Sequence, residues 1–531
     1  MTLRFAPRLA LTLSGLLVFF AASAAPIDLE SATIADLQAA FASRSLTSEA
    51  LTKAYLKRID AYDQKGPSIN TVITLNAKAI EQARALDAER RAGKVRGPLH
   101  GIPILLKDNY DTYDLQTTGG SQLLLGSIPP DDAFVVKKLR DAGVVILAKV
   151  NLHEFAYGGG APNGYSSLGG QTHNPHDPSR GPAGSSGGTG AGIAAAFAQF
   201  GLGSDTAGSI RNPSSANGIA GIKPTRGLMS RDGIIPLALS FDTGGPMARS
   251  VYDLAVALGV MTGVDAADPA TAASAGHFET DYTKFLKKGS LQGARIGVMR
   301  DFFGQSPQTD FVMEQTILKL QALGATIVDP IKLPEFLMRG IGPMHTMMID
   351  VEFKAQIAQY LSTLKPGFPH TLEELVAKAR DPKTAYTSPW KRDSMANQDK
   401  SVGIDDPIYL AAKNQGLALT TAVVEGLFTK YQVDAMIYPS VPRPAGEIGE
   451  ARNPAAAGVS NPAALANETG FPDVIVPAGM TPGGLPVTVS FFGPAWSEGK
   501  LLGYAYDLEQ ATHAIALPKY TPRLASDAIG R

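Results

Sequence analysis

One glycine- and serine-rich segment, residues 181–196, constrains the fold of this chain more than any other stretch. It reads Gly-Pro-Ala-Gly-Ser-Ser-Gly-Gly-Thr-Gly-Ala-Gly-Ile-Ala-Ala-Ala, and a second segment of this kind, residues 203–213, follows it closely. Glycine adopts positive φ and lets backbone N–H groups approach a ligand, which a nucleophile and an oxyanion site require. We therefore expect the two segments to contribute small hydroxyl groups and backbone N–H groups to one active site.

A lysine lies at the end of an apolar run upstream of these segments. Residues Ile102 to Leu106 are typical of a buried strand, and Lys107 follows directly. Because strand side chains alternate between faces, Asp108 should point away from Lys107 and need not keep its ammonium group charged. A lysine at the mouth of a strand is also common as a surface residue whose charged end reaches solvent. The sequence around Lys107 favours a buried lysine that need not stay charged over a surface residue.

Composition excludes several classes of function. The chain has 531 residues, a formal net charge of -1, 18% charged residues and 44% hydrophobic residues. A balanced charge gives no general attraction to nucleic acid or to an anionic membrane, so small neutral partners are expected. The absence of cysteine from the sequence excludes thiol catalysis and zinc-thiolate sites, and the eight histidines show no metal-ligand spacing. A metal site is therefore not expected.

The N-terminus is typical of a secretory signal peptide. Arg4 and Arg8 precede an apolar run from Leu9 to Phe20 and a group of small residues. This pattern predicts a signal peptide over residues 1–25, cleaved after Ala24 or Ala25, and export to the periplasm or the medium. An uncleaved anchor is the alternative, although the run is short for a spanning helix.

The rest of the chain, residues 26–531, is expected to form a single α/β domain. Apolar strands alternate with amphipathic helices, and no long low-complexity linker separates two parts. Among the local predictions are a helix over Ala191 to Phe200 and a short helix over Asn151 to Tyr157. Residues 336–430 have a less regular helical pattern with no readable motif, and we expect them to build the substrate pocket.

Several interpretations of residues 184–192 compete. A flexible linker is disfavoured because apolar helical residues follow immediately. Dinucleotide and phosphate loops are excluded by the glycine spacing, by the lack of a preceding strand and by the missing Gly-Lys-Ser/Thr ending. A nucleophile elbow with Ser186 at its centre fits Gly-x-Ser-x-Gly formally and could recruit His513, giving an esterase. An elbow follows a strand directly, however, and Pro182 argues against one here.

The remaining interpretation uses Lys107 as base, Ser185 as relay and Ser209 as nucleophile. A serine hydroxyl is a weak nucleophile until a neighbour takes its proton, and serine-lysine arrangements are one known solution. Only a neutral lysine can accept that proton. Lowering its pKa from about 10.4 to near 7 requires on the order of 4 to 5 kcal/mol of destabilisation of the charged form, which burial can provide.

Four separated motifs resemble the amidase signature family in order and spacing. They are Gly101-Ile-Pro-x-x-x-Lys107-Asp-Asn, Gly170-Gln-Thr-x-Asn-Pro175, Gly184-Ser-Ser-Gly-Gly188 and Ser204-Asp-Thr-Ala-Gly-Ser209-Ile-Arg-x-Pro213. The resemblance runs from about residue 30 to 515 and thins between about 265 and 430. It implies one large α/β/α domain with a mixed, mostly parallel sheet covered by helices.

The resemblance also implies a role for each matching residue. Lys107 would be the general base, Ser185 the proton shuttle with a cis peptide bond, and Ser209 the nucleophile that forms an acyl-enzyme. The implied oxyanion hole consists of the backbone N–H groups of Thr206, Ala207, Gly208 and Ser209, with Ala207 standing where many members have glycine. Ser186, Asp205 and Arg211 would support the loop. Gly159, in a glycine-rich loop that is either a pocket wall or a surface turn, is the candidate for substrate contact.

Further stretches, residues 96–103, 230–236, 242–250 and 493–498, resemble bacterial peptide amidases, which release the C-terminal carboxamide of peptides as ammonia. The expected partners are therefore a small-molecule or short-peptide amide and water, without an obligate protein partner. An aryl acylamidase acting on acylated anilines could use the same three residues. The glutaminyl-tRNA amidotransferase subunit shares the signature, but the signal peptide argues against it. An exported solute-binding protein would explain the length and the α/β pattern but not the three motif residues.

Overall fold

A computed structural model describes residue 2 and residues 27–158, 160–450 and 462–530. The expected signal peptide, residues 1–25, lies almost entirely outside these described residues, and so does Gly159. Within the described ranges, no helix combines the length and the apolar character that crossing a membrane requires. The assignment of residues 26–531 to one domain stays a prediction, although strands from both halves of the chain share one sheet.

Fifteen strands are present in the described residues. Their bounds are β1 Ile27–Asp28, β2 Val72–Leu75, β3 Pro103–Lys107, β4 Val145–Val150, β5 Tyr165–Ser166, β6 Gly170–Gln171, β7 Phe200–Asp205, β8 Ala220–Lys223, β9 Thr243–Ala248, β10 Arg295–Met299, β11 Thr326–Ile331, β12 Ala435–Pro439, β13 Asp473–Met480, β14 Pro486–Phe492 and β15 Ala528–Ile529.

Fifteen α-helices accompany these strands in the described residues. Their bounds are α1 Ile34–Ser43, α2 Ser48–Tyr62, α3 Ala79–Arg91, α4 Phe134–Asp141, α5 Gly187–Ala194, α6 Arg211–Ala216, α7 Val251–Met261, α8 Pro307–Ala322, α9 Glu335–Leu361, α10 Leu372–Arg380, α11 Pro389–Gln398, α12 Pro407–Ala411, α13 Leu417–Tyr431, α14 Pro462–Thr469 and α15 Glu498–Thr512.

A central sheet of eleven strands organises the molecule, in the order β11-β10-β12-β14-β13-β8-β9-β7-β3-β4-β2. The α/β class and the mixed sheet agree with the expectation. The sheet is less parallel than expected: among the described strands, four neighbouring pairs are parallel and six are antiparallel. Short connections such as the turn between β13 and β14 can join only antiparallel neighbours, since a parallel pair needs a crossover.

Two strands of the sheet centre, β7 and β9, carry glycine where strands usually carry large side chains, and the sequence pattern does not reveal them. Gly203 on β7 leaves room for the Ser186 hydroxyl, which would lie 2.8 Å from a Cβ atom at that position. Gly245 on β9 lies against the carbonyl oxygen of Ile222 with no space for a Cβ atom. These strands are glycine-rich because neighbouring chain segments approach their backbones closely.

Two local predictions are wrong for related reasons. The helix predicted over Ala191 to Phe200 is α5, which ends at Ala194, and Phe200 is already the first residue of β7. The helix predicted over Asn151 to Tyr157 is only a 3₁₀ turn, Glu154–Ala156, in which Phe155 has φ 51°. Alanine gave residues 191–200 a helical pattern, and in both stretches tertiary contacts override the local helix propensity.

The helices α9 to α13 occupy the region, about 336–430, that the sequence pattern left without a motif. Helices α10 to α12 and the second half of α9 form a helical unit, whose apolar side chains share a hydrophobic cluster with Phe155, Leu237 and Phe241 in loops near the end of β7 and the start of β9. Helix α13 and the first turns of α9 pack instead in a cluster with β12. The helical unit therefore packs directly on loops beside the sequence-predicted site.

The two ends of the described domain meet beside helix α2. Strand β1 pairs antiparallel with β15, with Ile27 opposite Ile529. The buried guanidinium of Arg58, on α2, forms ion pairs with Glu30 near one end, at 3.1 Å, and with Asp527 near the other. One arginine thus fixes both ends of the domain against its body.

Candidate active site

Strand β3 brings Lys107 into the centre of the molecule. All five residues of β3 are buried, because β4 and β7 flank the strand and α2 and α5 pack on it. The alternation of side chains separates Lys107 from Asp108, as the sequence predicts. Asp108 forms an ion pair with Lys149 of β4, with 3.2 Å between Nζ and Oδ1. Lys107 is therefore left to contact neutral groups.

The Lys107 side-chain nitrogen contacts hydroxyl and carbonyl oxygens. Its Nζ lies 2.7 Å from Oγ of Ser185 and 2.9 Å from Oγ of Ser204. Burial lowers the pKa of Lys107 to about 7, while the negative charges of Asp205 and Asp242 oppose part of that shift. A substantial fraction of this lysine is neutral near pH 7, so it can accept a proton from the serine beside it.

Ser185 follows a position, residue 184, that only glycine can occupy. The Gly184–Ser185 peptide bond is cis. A Cβ atom on residue 184 would overlap the ring of His153, and the backbone N–H of His153 donates to the Ser185 carbonyl at 2.9 Å. His153 and Gly184 together orient the Ser185 hydroxyl toward Lys107.

The 205–209 loop follows β7 and carries Ser209. The backbone N–H of Ser186 donates to the Ser209 carbonyl at 3.1 Å, which holds the two glycine-rich segments side by side. Ser209 is 7% exposed, and among the described residues its hydroxyl has no hydrogen-bond partner. Ser209, the nucleophile expected from the sequence, thus lies beside Ser185 and Ser186 and is almost completely buried.

The backbone N–H groups of this loop differ in their availability. Gly208, with φ 99°, donates its N–H to Oδ1 of Asp205 at 2.8 Å, so this N–H is used within the loop. In the part of the chain that the structure describes, the N–H groups of Thr206, Ala207 and Ser209 have no hydrogen-bond partner. Three of the four N–H groups assigned to an oxyanion hole are therefore free to bind a substrate oxygen.

A buried ion-pair network supports the loop from below. Asp205 pairs with Arg211 at 3.0 Å, and Arg211 pairs with Asp473 of β13 at 3.1 Å. Burial alone would raise the pKa of Asp205, but the charge of Arg211 and several donated hydrogen bonds lower it well below its usual value. Asp205 therefore stays ionised and accepts the N–H groups of Gly208 and Ile210, which fixes the loop conformation.

Sequence reasoning missed Ser204 and Asn109. The Ser204 hydroxyl accepts hydrogen bonds from Lys107 and, at 3.0 Å, from the side-chain amide of Asn109. Asn109 lies in the turn after β3, and Ser204 lies near the end of β7. Each residue stands inside one of the four motifs, and that position is the sequence signal that could have identified it.

The structure does not support the alternative nucleophile elbow, which would use Ser186 with His513. Ser186 is fully buried, and its hydroxyl donates to the Ser204 carbonyl at 3.2 Å. His513 is exposed at the end of α15. No β-strand leads directly into Ser186 within the described residues. Among those residues there is also no cluster of three metal-ligating side chains.

Comparison with known proteins identifies the family. The family model described as Amidase matches residues 50–502. This chain belongs to the amidase signature family, and it is an amidase. It is 35% identical over 502 residues to a glutamyl-tRNA(Gln) amidotransferase subunit of Thermoanaerobacter pseudethanolicus, a match that covers 93% of this chain and 99% of the relative.

Solved amidase structures share the fold. The native peptide amidase from Stenotrophomonas maltophilia superposes with a TM-score of 0.84 at 38% identity, covering 92% of this chain and 99% of that chain. An amidase family protein from Bacillus anthracis gives a TM-score of 0.82 at 30% identity, covering 92% of this amidase and 93% of its own chain. The resemblance inferred from the four motifs is confirmed at the level of family and fold.

Proposed function

We propose that this amidase hydrolyses the C-terminal carboxamide of peptides through an acyl-enzyme on Ser209 and releases ammonia. The observation that carries the chemistry is the 2.7 Å contact between Lys107 and Ser185 in a site where burial lowers the lysine pKa to about 7. The similarity to the Stenotrophomonas peptide amidase supports the choice of substrate.

In the first half of the reaction, the amide carbonyl carbon is attacked by the Ser209 hydroxyl. Neutral Lys107 takes the proton of Ser185, and Ser185 takes the proton of Ser209 as the C–O bond forms. The free N–H groups of Thr206, Ala207 and Ser209 stabilise the oxyanion. Ser185 then gives a proton to the leaving nitrogen and is reprotonated by Lys107, the C–N bond breaks, and ammonia departs while Lys107 becomes neutral again.

In the second half, water replaces the amine. Lys107 and Ser185 remove a proton from the water molecule as it attacks the Ser209 ester, and the same N–H groups stabilise the second oxyanion. Collapse of that intermediate returns the proton to Ser209 and releases the peptide with a free carboxylate. No metal or organic cofactor enters this sequence of steps, and no obligate protein partner is required by it.

We also propose that the enzyme acts outside the cytoplasm. Basic residues, a short apolar run and small residues at a cleavage point support removal of residues 1–25 and export to the periplasm or the medium. Gly159 remains the proposed substrate contact because it follows the 3₁₀ turn Glu154–Ala156 by three positions in the sequence, and Ala156 lines a recess together with Thr206.

Product analysis on purified protein beginning at residue 26 tests the proposal. A dipeptide C-terminal amide and an acetylated aniline are supplied side by side, and ammonia and aniline are measured. We expect ammonia from the peptide amide and little aniline, with Ser209→Ala as the inactive control. Aniline as the dominant product would make the enzyme an aryl acylamidase with the same three catalytic residues.

A second candidate is deamidation of glutamine for transfer of ammonia. The sequence similarity to the Thermoanaerobacter amidotransferase subunit favours it, since that relative is matched over 99% of its length. Free glutamine therefore joins the substrate panel. Glutamate formation from glutamine at a rate comparable to that on the peptide amide would replace the first proposal by this one.

A further inference from the structure

Asp242 connects the start of β9 to the 205–209 loop. One carboxylate oxygen, Oδ1, accepts a hydrogen bond from Oγ1 of Thr206 at 2.5 Å. The other, Oδ2, accepts from the backbone N–H groups of Leu237 at 2.9 Å and Ala238 at 3.0 Å. A single carboxylate therefore joins the residue that begins the oxyanion loop to a neighbouring turn.

The surroundings of Thr206 show why this contact matters. A recess of about 10 Å³, enough for one water molecule, is lined by Thr206, Ser204 and Thr243. Thr206 itself is buried. Among the described residues, the hydrogen bond to Asp242 is the polar contact of the Thr206 hydroxyl.

The turn that carries Asp242 is itself anchored to the helical unit. On α9, Glu352 accepts the backbone N–H of Ser240 at 2.9 Å, and Gln356 accepts that of Leu239 at 2.8 Å. Asp242 consequently has its position set by helix α9 and by β9 together. A carboxylate held on two sides can hold a loop precisely.

Asp242 also differs from Asp205 in charge environment. Among the described residues no cation forms an ion pair with Asp242, because the nearby Arg231 pairs with Asp268 at 2.6 Å. Burial raises the pKa of Asp242, while the hydrogen bonds from Thr206 and the backbone oppose that effect. Its negative charge also raises the pKa of Lys107, as does that of Asp205.

We propose that Asp242 is a positioning residue of the oxyanion site, which acts by holding Thr206 so that its backbone N–H points at the substrate oxygen. This inference rests on the proposed function, because it takes the 205–209 loop as the oxyanion loop. It adds a residue, and a link to the helical unit, that the four motifs do not contain.

The first test replaces Thr206 by valine, which keeps the backbone N–H and the side-chain shape but removes the hydroxyl. We expect kcat on the peptide amide to fall about 10- to 100-fold with KM changed less than about threefold, since a misdirected oxyanion donor weakens only the transition state. Thr206→Ser should recover most of kcat. Thr243→Val is the matched control, because Thr243 lines the same recess and contacts only the Asp205 carbonyl, at 3.3 Å.

Asp242→Asn, alone and combined with Thr206→Val, is the second test. The double variant should lose less than the product of the two single losses, because the Thr206–Asp242 contact is affected in both single variants. Asp242→Asn should also move the acid limb of the pH profile to lower pH, since removing a negative charge lowers the pKa of Lys107. Thr206→Val should leave the acid limb at the same pH. A variant that had lost structure generally would not keep the limb there.

Three results would overturn the proposal. They are wild-type kcat in Thr206→Val, a loss that appears only in KM, and fully multiplicative losses in the double variant. Failure of the proposed function has a different signature, because Ser209→Ala would then remain active or the peptide amide would not be consumed by the unmodified enzyme. If Asp242→Asn does not fold, the valine and serine variants of Thr206 still decide the matter.

Discussion

Two buried lysines on neighbouring strands, Lys107 of β3 and Lys149 of β4, differ in whether a carboxylate contacts them. Both are fully buried, and burial lowers the pKa of each. Lys149 has the carboxylate of Asp108 at 3.2 Å and donates to Thr117 at 2.7 Å. Lys107 contacts hydroxyl groups instead. These two lysines therefore differ in their counter-ion, since Lys149 has a carboxylate partner and Lys107 lies beside hydroxyl groups.

Substitution of Lys107 by methionine gives the sharpest test of this comparison. Turnover of the peptide amide should fall by about 10³-fold or more, because the proposed base is lost. The free energy of unfolding near pH 7 should nevertheless rise by about 1 to 4 kcal/mol, because a buried amine without a counter-ion is replaced by an apolar chain. Initial rates and urea unfolding measure the two effects. A variant that is both active and less stable would contradict the comparison.

Removal of the Ser185 hydroxyl, the proposed relay, should have the next largest effect. Ser185→Ala is expected to lower kcat about 10²- to 10⁴-fold with the fold intact, since Lys107 then has no serine to deprotonate. Ser186→Ala should lose less than about tenfold, because its hydroxyl contacts only the backbone of Ser204. Rate measurements on both variants, with circular dichroism as the folding control, decide the point. The reverse order of effects would favour the elbow arrangement.

Lys149→Met should show the opposite pattern from Lys107→Met. It leaves the carboxylate of Asp108 buried without a cation, so the free energy of unfolding should fall by about 3 to 5 kcal/mol. The kcat of the folded fraction should remain within about tenfold of the unmodified enzyme. Adding Asp108→Asn should recover more than half of the lost stability, as measured by urea unfolding. No recovery in the double variant would show that the ion pair is not the cause.

The smallest of these effects is the pH dependence. With the pKa of Lys107 near 7, kcat/KM should fall about tenfold for each pH unit below that value. The folded pKa lies below the unfolded one, so the unfolded chain binds more protons between about pH 7 and 10.5 and stability rises with pH there. Lys107→Met should remove that contribution to the rise. An acid limb near pH 4 would exclude Lys107 as the base.

Much of the site could be predicted from the sequence because its residues lie in short motifs. Lys107 follows an apolar strand, and Ser185 and Ser209 stand in glycine-rich segments whose residue types fit few other uses. The strands β7 and β9 could not be recognised, because glycine leaves no alternating pattern to read. The contact between Thr206 and Asp242 is equally invisible, since it joins residues 36 positions apart through the fold. The helices α9 to α13 were expected, but not their anchoring of the 237–242 turn.

The pairing of β1 with β15 has a practical consequence for engineering. Residues 27 and 529 lie opposite each other, and Arg58 holds both ends. A short linker between them would close the chain into a ring without stretching it, so new termini could be opened at an exposed loop to give a circular permutant. By contrast, a bulky fusion attached directly at residue 27 or 530 would press on this strand pair, and a spacer would be needed between the enzyme and any tag.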